Sequence, residues 1–263
     1  MERLLVDGRT RSFFLHLPPE PRGAPLIIAL HALGSNPYLM EAMTELSLLS
    51  DREDVIVAYP IGIHASDRGE RAWNAWFCCR DALYEKVDDV GFLSAIIDEL
   101  DYRYDVDGTL ITGMSNGGML AHLAGIQLAD KVTAIAPVAA TIGDVILELR
   151  PKRPLPVLMV NGGADELVPF YHSHRYNLLP AEEAVDYWVR VNECFATPTI
   201  REKNGVLVEH YRSRDRKADV LSYRSKDAGH VWPGGRVRMH NEDDPMTMNA
   251  TAVIWKFFQD QLR

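Results

Sequence analysis

The chain lacks most of the features that would mark a membrane, nucleic-acid or metal protein. No apolar stretch approaches the roughly 18 residues that a spanning helix requires. There is no long run of Lys or Arg, and the formal net charge is −9, which argues against nucleic acid and anionic membrane surfaces as partners. The mixed cluster from Arg212 to Lys217 contains Asp215 and reads as a solvated hairpin loop. None of the nine histidines shows His-x-x-x-His spacing, and His172 and His174 are too close for a zinc helix. Neither a metal nor another cofactor is therefore expected. Met1 runs almost directly into a strand pattern, with no basic n-region or apolar h-region, so no leader is read in this chain. Cysteine is scarce: Cys78, Cys79 and Cys194 allow at most one internal bridge. Three reduced thiols, or a bridge to Cys194 from either Cys79 or Cys78, both remain open. There is no linker and no internal repeat. At 263 residues and 47% hydrophobic content, residues 1–263 read as one domain with one substantial core.

What is present is an alternation of strands and helices. Leu4 to Val6 and Arg11 to Leu17 flank the turn dipeptide Asp7-Gly8, predicting an N-terminal antiparallel hairpin. Pro25 to Ala32 and Asp54 to Tyr59 are continuous apolar runs, as expected of strands buried on both faces. Val90, Leu93, Ile96, Ile97 and Leu100 mark an amphipathic helix. Further buried strands are predicted at 132–138 and 155–160, and a late strand pair at 206–211 and 220–223. A helix starts at Pro180 and carries Ala184, Trp188 and Val191, and a docked helix over 250–262 closes the chain. The pattern implies a three-layer α/β fold around a mainly parallel sheet.

Gly113-Met114-Ser115-Asn116-Gly117 fits G-x-S-x-G, a match that chance supplies in about one chain in ten of this length. Its setting carries more weight. Thr109 to Thr112 is β-prone, and Met119, Leu120 and Leu123 give helical spacing directly after it. A serine on such a strand-to-helix turn exposes its hydroxyl above a parallel sheet and can serve as a nucleophile. It then needs a base, and the base needs an orienting acid, in chain order Ser, acid, His. Asp165, just past the 155–160 strand, is the acid, with Glu166 as neighbouring competitor. His230, in Ala228-Gly229-His230-Val231-Trp232-Pro233-Gly234-Gly235, is the base. His172 and His174 lie in a polar stretch, His16, His64, His210 and His240 lack strand-end placement, and His122 reads as a packing or surface residue. The backbone N–H groups of Asn116 and Leu33 are the expected oxyanion donors, with Ala32 competing for the second place. His31 is read as bracing that loop.

These segments together resemble the esterase group that contains polyhydroxybutyrate depolymerases and feruloyl and acetylxylan esterases, within the α/β-hydrolase superfamily. The marks are Leu30-His31, Trp73-Asn74, Cys78-Cys79, Asp88-Asp89-Val90-Gly91-Phe92, the Ser115 turn, Ala164 to Pro169, Trp188 through Cys194, Gly229 to Gly235, and Ile254 to Phe258. The resemblance implies a metal-free serine esterase, often exported, with its triad at Ser115, Asp165 and His230. The chain departs from the family in having Ala32 where a glycine is usual, and in carrying no carbohydrate module, which favours soluble or oligomeric esters over a polymer surface. Trp232, two residues from His230, is set to stack on a sugar or phenolic ring, and Trp73 and His31 are taken with it as substrate contacts. Trp76 reads as loop packing, and 170–180 as a rim of the pocket. Acyl transfer or small-peptide cleavage by the same triad, and a non-catalytic binding protein on a hydrolase scaffold, are the competing functions.

Overall fold

A computed structural model describes residues 1–64, 70–172, 178–239, 243–245 and 247–262. Where the sequence offers continuous apolar runs, the chain builds strands buried on both faces: β3 (Leu26–Leu30) and β4 (Ile56–Pro60) have every residue buried. They follow the N-terminal hairpin of β1 (Glu2–Val6) and β2 (Arg9–His16), whose register runs from Glu2↔Phe13 to Val6↔Arg9 around Asp7-Gly8. Between β3 and β4 lie two short helices, α1 (Pro37–Thr44) and α2 (Leu46–Glu53). Next come a small two-stranded pair, β5 (Ile63–His64) and β6 (Arg71–Ala72), the short α3 (Arg80–Tyr84) and the long α4 (Asp89–Tyr104). Then follow β7 (Thr109–Met114), α5 (Asn116–Gln127), β8 (Ala134–Val138) and β9 (Val157–Gly162). After α6 (Ala181–Val191) come β10 (Thr199–Lys203), β11 (Val206–Tyr211), β12 (Val220–Ser225) and finally α7 (Ala250–Gln261).

All of these strands except the β5–β6 pair join one 10-stranded sheet in the order β1-β2-β4-β3-β7-β8-β9-β12-β11-β10. The middle of the sheet, from β4 to β12, is parallel, and both ends turn antiparallel. Alternate residues of β3 feed opposite faces. Leu26, Ile28 and Leu30 join the core beneath α4, α5 and α6, while Ile27 and Ala29 join the core beneath α1, α2 and α7. Three of the helices are started by a side chain: Asn36, Asp88 and Asn249 accept from Leu39, Gly91 and Ala252 N–H at 3.0, 2.8 and 2.8 Å. The order of the sheet reverses between β3 and β7, since the chain adds β4 on one side of β3 and β7 on the other. In an open α/β sheet, the crevice beyond the strand ends at such a reversal is where ligands bind.

Of the two readings the sequence leaves open, the bridge from Cys79 or Cys78 to Cys194 is not formed. Cys79 packs with Ala72 and Ala82 beside the β5–β6 pair and is joined to its neighbour Cys78. Cys194 is a buried free thiol against β11 and β12, with a backbone bridge to Ser213 and its Sγ facing Ala218 O at 3.8 Å. Burial pushes that thiol up to about 11, so it stays protonated and inert.

Candidate active site

Ser115 follows β7 directly and takes φ 55°, ψ −122°, a conformation that non-glycine residues rarely adopt. Its neighbours account for it. A Cβ on Gly117 would sit 2.3 Å from Leu30 O and 2.6 Å from His31 O, and one on Gly113 would meet Gly117 C at 2.7 Å. One on Gly118 would meet Ala140 Cβ at 2.5 Å. The first turn of α5 therefore lies directly on the end of β3, and only glycines permit it. Ser115 occupies the N-cap of α5, the position where serine hydroxyls ordinarily accept from the helix, yet its side chain makes no capping bond. Its backbone does the anchoring, with N–H donating to Val138 O at 2.9 Å and C=O accepting from Met119 N–H at 2.8 Å.

Asp165 lies just past β9 and is buried. Its Oδ1 accepts from the N–H groups of Leu167 and Val168 at 2.9 and 2.8 Å, and its Oδ2 pairs with His230 Nδ1 at 2.7 Å. The carboxylate is thus held from both oxygens, and it fixes the imidazole with Nδ1 as donor and Nε2 turned away. Glu166, the competitor, is exposed. The His230 loop is anchored in turn: Gly229 N–H donates to Asp243 O at 2.8 Å, and Ala250 N–H to Pro233 O at 2.8 Å. A Cβ on Gly162 would lie 2.3 Å from both Ala228 O and Gly229 O, so β9 ends against this loop. Among the other histidines, His172 is exposed, His16 and His210 pair with Asp51 and Asp219 at 2.7 and 2.6 Å, and His122 is fully buried in α5. His174, His240 and residues 173–177 of the expected rim lie outside the described residues; Phe170 is buried and Tyr171 exposed.

Asn116, the first residue of α5, has a backbone N–H without an intrahelical acceptor by virtue of its position. Its side chain has a second task that the sequence does not reveal. Oδ1 accepts from Trp73 N–H at 2.8 Å and Nδ2 donates to Trp73 O at 3.0 Å, clamping residue 73 from both sides. The Trp73 indole N–H donates to His31 O at 2.8 Å, and the two rings lie 4.8 Å apart. His31 Nε2 accepts from Gly62 N–H at 3.0 Å, so Nδ1 carries the proton and donates to Ala32 O at 2.9 Å. Burial holds His31 down at about 4, keeping it neutral. With the Ala32 carbonyl held toward the His31 ring, the N–H of Leu33 across the same trans peptide points the opposite way.

The three side chains expected to contact substrate are buried. His31 and Trp73 are spent on the network just described, and Trp232 packs in the α7-side core with its indole N–H on Thr251 Oγ1 at 3.0 Å. Of Trp73, Trp76 and Trp232, Trp76 is the one that reaches solvent, 44% exposed. Asp89, buried beneath this region, accepts from Arg11 at 2.6 Å and from Asn74 N–H at 2.7 Å. Burial pushes its carboxyl up, while Arg11 pulls it down.

No protein-family model matches the chain. Over 173 residues it is 34% identical to NocK of Nocardia uniformis subsp. tsuyamanensis, whose name assigns it provisionally to the esterases; the match covers 64% of this chain and 48% of that protein. Over 192 residues it is 30% identical to feruloyl esterase B of Piromyces equi, covering 67% of this chain and 34% of that protein. The matched stretch thus spans about half of the first relative and a third of the second. The acetyl xylan esterase from Aspergillus awamori superposes with a TM-score of 0.60 at 12% identity, over 88% of this chain and 93% of that one. The chain has the α/β-hydrolase fold, and over part of its length its sequence is similar to proteins named esterase and feruloyl esterase.

Proposed function

We propose that the protein hydrolyses carboxylic esters through an acyl-Ser115 intermediate. The buried Asp165–His230 pair at 2.7 Å, set past the end of the same sheet that presents Ser115, carries this reading. His230 Nε2 takes the Ser115 Oγ proton as Oγ attacks the ester carbonyl, and the tetrahedral oxyanion is met by the backbone N–H groups of Asn116 and Leu33. His230 then returns the proton to the leaving alkoxide, releasing the alcohol and leaving the acyl group on Ser115. A water molecule, deprotonated by His230, attacks the acyl carbon, and collapse frees the carboxylic acid while Ser115 regains its proton. Asp165 holds the imidazole in one tautomer and stabilises its protonated form. The sequence similarity to a protein named feruloyl esterase favours a feruloyl ester, with acetyl and hydroxyalkanoate esters as the other substrates to be tried.

The test is turnover of p-nitrophenyl acyl esters, methyl ferulate, acetylated xylan and hydroxybutyrate oligomers by the wild type and by Ser115→Ala. Loss of at least ~10³-fold in kcat is expected, with His230→Ala similarly impaired and the exposed His172→Ala little affected. Activity retained by Ser115→Ala on every substrate would overturn the nucleophile, and the opposite ranking of the histidine variants would overturn the base.

A further inference from the structure

Asn116 and Leu33, the residues whose backbone N–H groups meet the oxyanion, share a neighbour that the reaction itself does not use. Cys79 is buried in a small cluster with Ala72 and Ala82, and the Leu33 side chain packs against that cluster. Cys78, disulfide-bonded to Cys79, faces the side chain of Asn116, whose Nδ2 donates to Cys78 Sγ at 3.9 Å. The backbone ties the same pieces together. Ala75 N–H donates to Cys78 O at 2.7 Å, two residues after Trp73, whose N–H and C=O are both held by Asn116. On the other side, Gly34 N–H, next to Leu33, donates to Arg71 O at 2.8 Å, next to Ala72. The bridged pair thus belongs to the packing around both donors.

Spacing makes the covalent state of this pair matter. A disulfide holds its sulfurs about 2 Å apart, whereas sulfurs that are not bonded need roughly 3.5 Å or more. Breaking the bond therefore drives the Sγ atoms apart by roughly 1.5 Å. Cys79 is buried, so the displacement passes to its surroundings: the cluster bearing Leu33 on one side, the Asn116 side chain on the other. Oxyanion donors are sensitive to such shifts, because they must sit about 3 Å from an oxygen that gains its charge only in the transition state. We propose that the Cys78–Cys79 disulfide is a positioning element for the reaction, holding the N–H groups of Asn116 and Leu33 at the spacing the tetrahedral intermediate requires. This role rests on the reading of Ser115 as nucleophile, whereas the movement of the two N–H groups on reduction does not. Cys78 is only partly buried, so a reductant reaches its Sγ. A phosphine attacks that sulfur and the S–S bond breaks. Water then converts the phosphine to its oxide and supplies both protons, leaving two thiols. Cys194 lies against β11 and β12, with its Sγ on Ala218 O, and takes no part.

The experiment uses the full chain and tris(carboxyethyl)phosphine. Alkylation of the unfolded protein should modify one cysteine, Cys194, before reduction and all three after it. On p-nitrophenyl acetate, reduction should lower kcat ~10-fold while KM stays within about two-fold, and reoxidation should restore it. Cys78→Ala/Cys79→Ala should start from a similarly lowered kcat and ignore the phosphine, and Cys194→Ser should respond as the wild type does. In the assigned amide spectrum, the Leu33 and Asn116 N–H signals should shift on reduction while circular dichroism stays that of the folded protein. Three alkylated cysteines before reduction, amide signals of both residues that stay in place, or a fall in melting temperature with kcat intact would each overturn the role of the bridge and leave Ser115 untouched. Failure of the oxidised wild type to hydrolyse any ester would overturn the nucleophile, while the amide spectrum would still decide whether the bridge sets the two N–H groups.

Discussion

At the scale of single residues, the informative side chains are those that brace the loops around Ser115. Trp73 contributes one N–H to the His31 carbonyl, which lies between that indole and Gly117. Trp73→Phe keeps a ring in the same buried space and removes the donor, leaving a buried carbonyl unpaired at a cost of about 1–3 kcal/mol. If this bond orients the loop that carries Leu33 N–H, kcat should fall ~10-fold or more while KM stays within about two-fold, because the loss falls on the transition state. A fall in melting temperature with kcat intact would reduce Trp73 to a packing residue. Nothing in the sequence distinguishes this tryptophan from Trp76. Both sit in an aperiodic loop, where no repeat of apolar positions marks inside from outside, and the expected roles came out exchanged: Trp73 is buried and Trp76 exposed.

At the scale of elements, β7, the Ser115 turn and α5 form the most legible unit. A β-prone run, a glycine-flanked serine and helical spacing all point to one local structure, and the strand extends two residues past the expected Thr112. Strands β3, β4, β8 and β9 were equally readable because burial on both faces leaves unbroken apolar runs. β10 was not, since Thr-Ile-Arg-Glu-Lys is exposed along its whole length and owes its conformation to pairing with β11. The helices α1 and α2 escaped notice because each has only 8 residues and Glu45, at φ 54°, separates them. The glycines of the elbow allow a test at this scale. Gly117→Ala places a Cβ within 2.3 Å of Leu30 O, so α5 must move away from β3, costing about 1–3 kcal/mol of stability and displacing Ser115. Gly8→Ala, at φ 70° with nothing within 4 Å of the new Cβ, should cost a comparable ~1–2 kcal/mol through backbone strain alone. Urea unfolding should therefore show both variants destabilised, with turnover lost only in Gly117→Ala. Equal turnover in the two would mean that the close contact between the Ser115 turn and β3 does not set the position of Ser115.

For the whole molecule, two histidines are buried in the neutral form on the side of the sheet that carries the site: His31 past the end of β3 and His122 within α5. Burial holds them down at about 4 and about 3, with Arg71 adding to the effect at His31 and Trp188 donating its indole N–H to His122 Nδ1 at 2.9 Å. In the unfolded chain both titrate near 6.5. Below that pH the unfolded state binds more protons than the folded one. Their contribution is therefore complete above 6.5 and is lost as pH falls toward about 4 for His31 and about 3 for His122. Each should steepen the decline by roughly one to two kcal/mol per pH unit, and the raised carboxyl of Asp89 works in the opposite sense at the acid end. Urea unfolding at a series of pH values between 7 and 4 should show stability falling with pH, and His122→Met, whatever its stability at neutral pH, should fall less steeply. An unchanged slope would remove His122 from the account. His31 adds a functional consequence, because its unprotonated Nε2 is the acceptor for Gly62 N–H. Once both ring nitrogens carry protons, that bond has no acceptor and the loop bearing Leu33 loses its brace. Turnover should therefore fall as pH drops toward about 4 while circular dichroism is still that of the folded protein, and a loss seen only together with unfolding would remove His31 from the account.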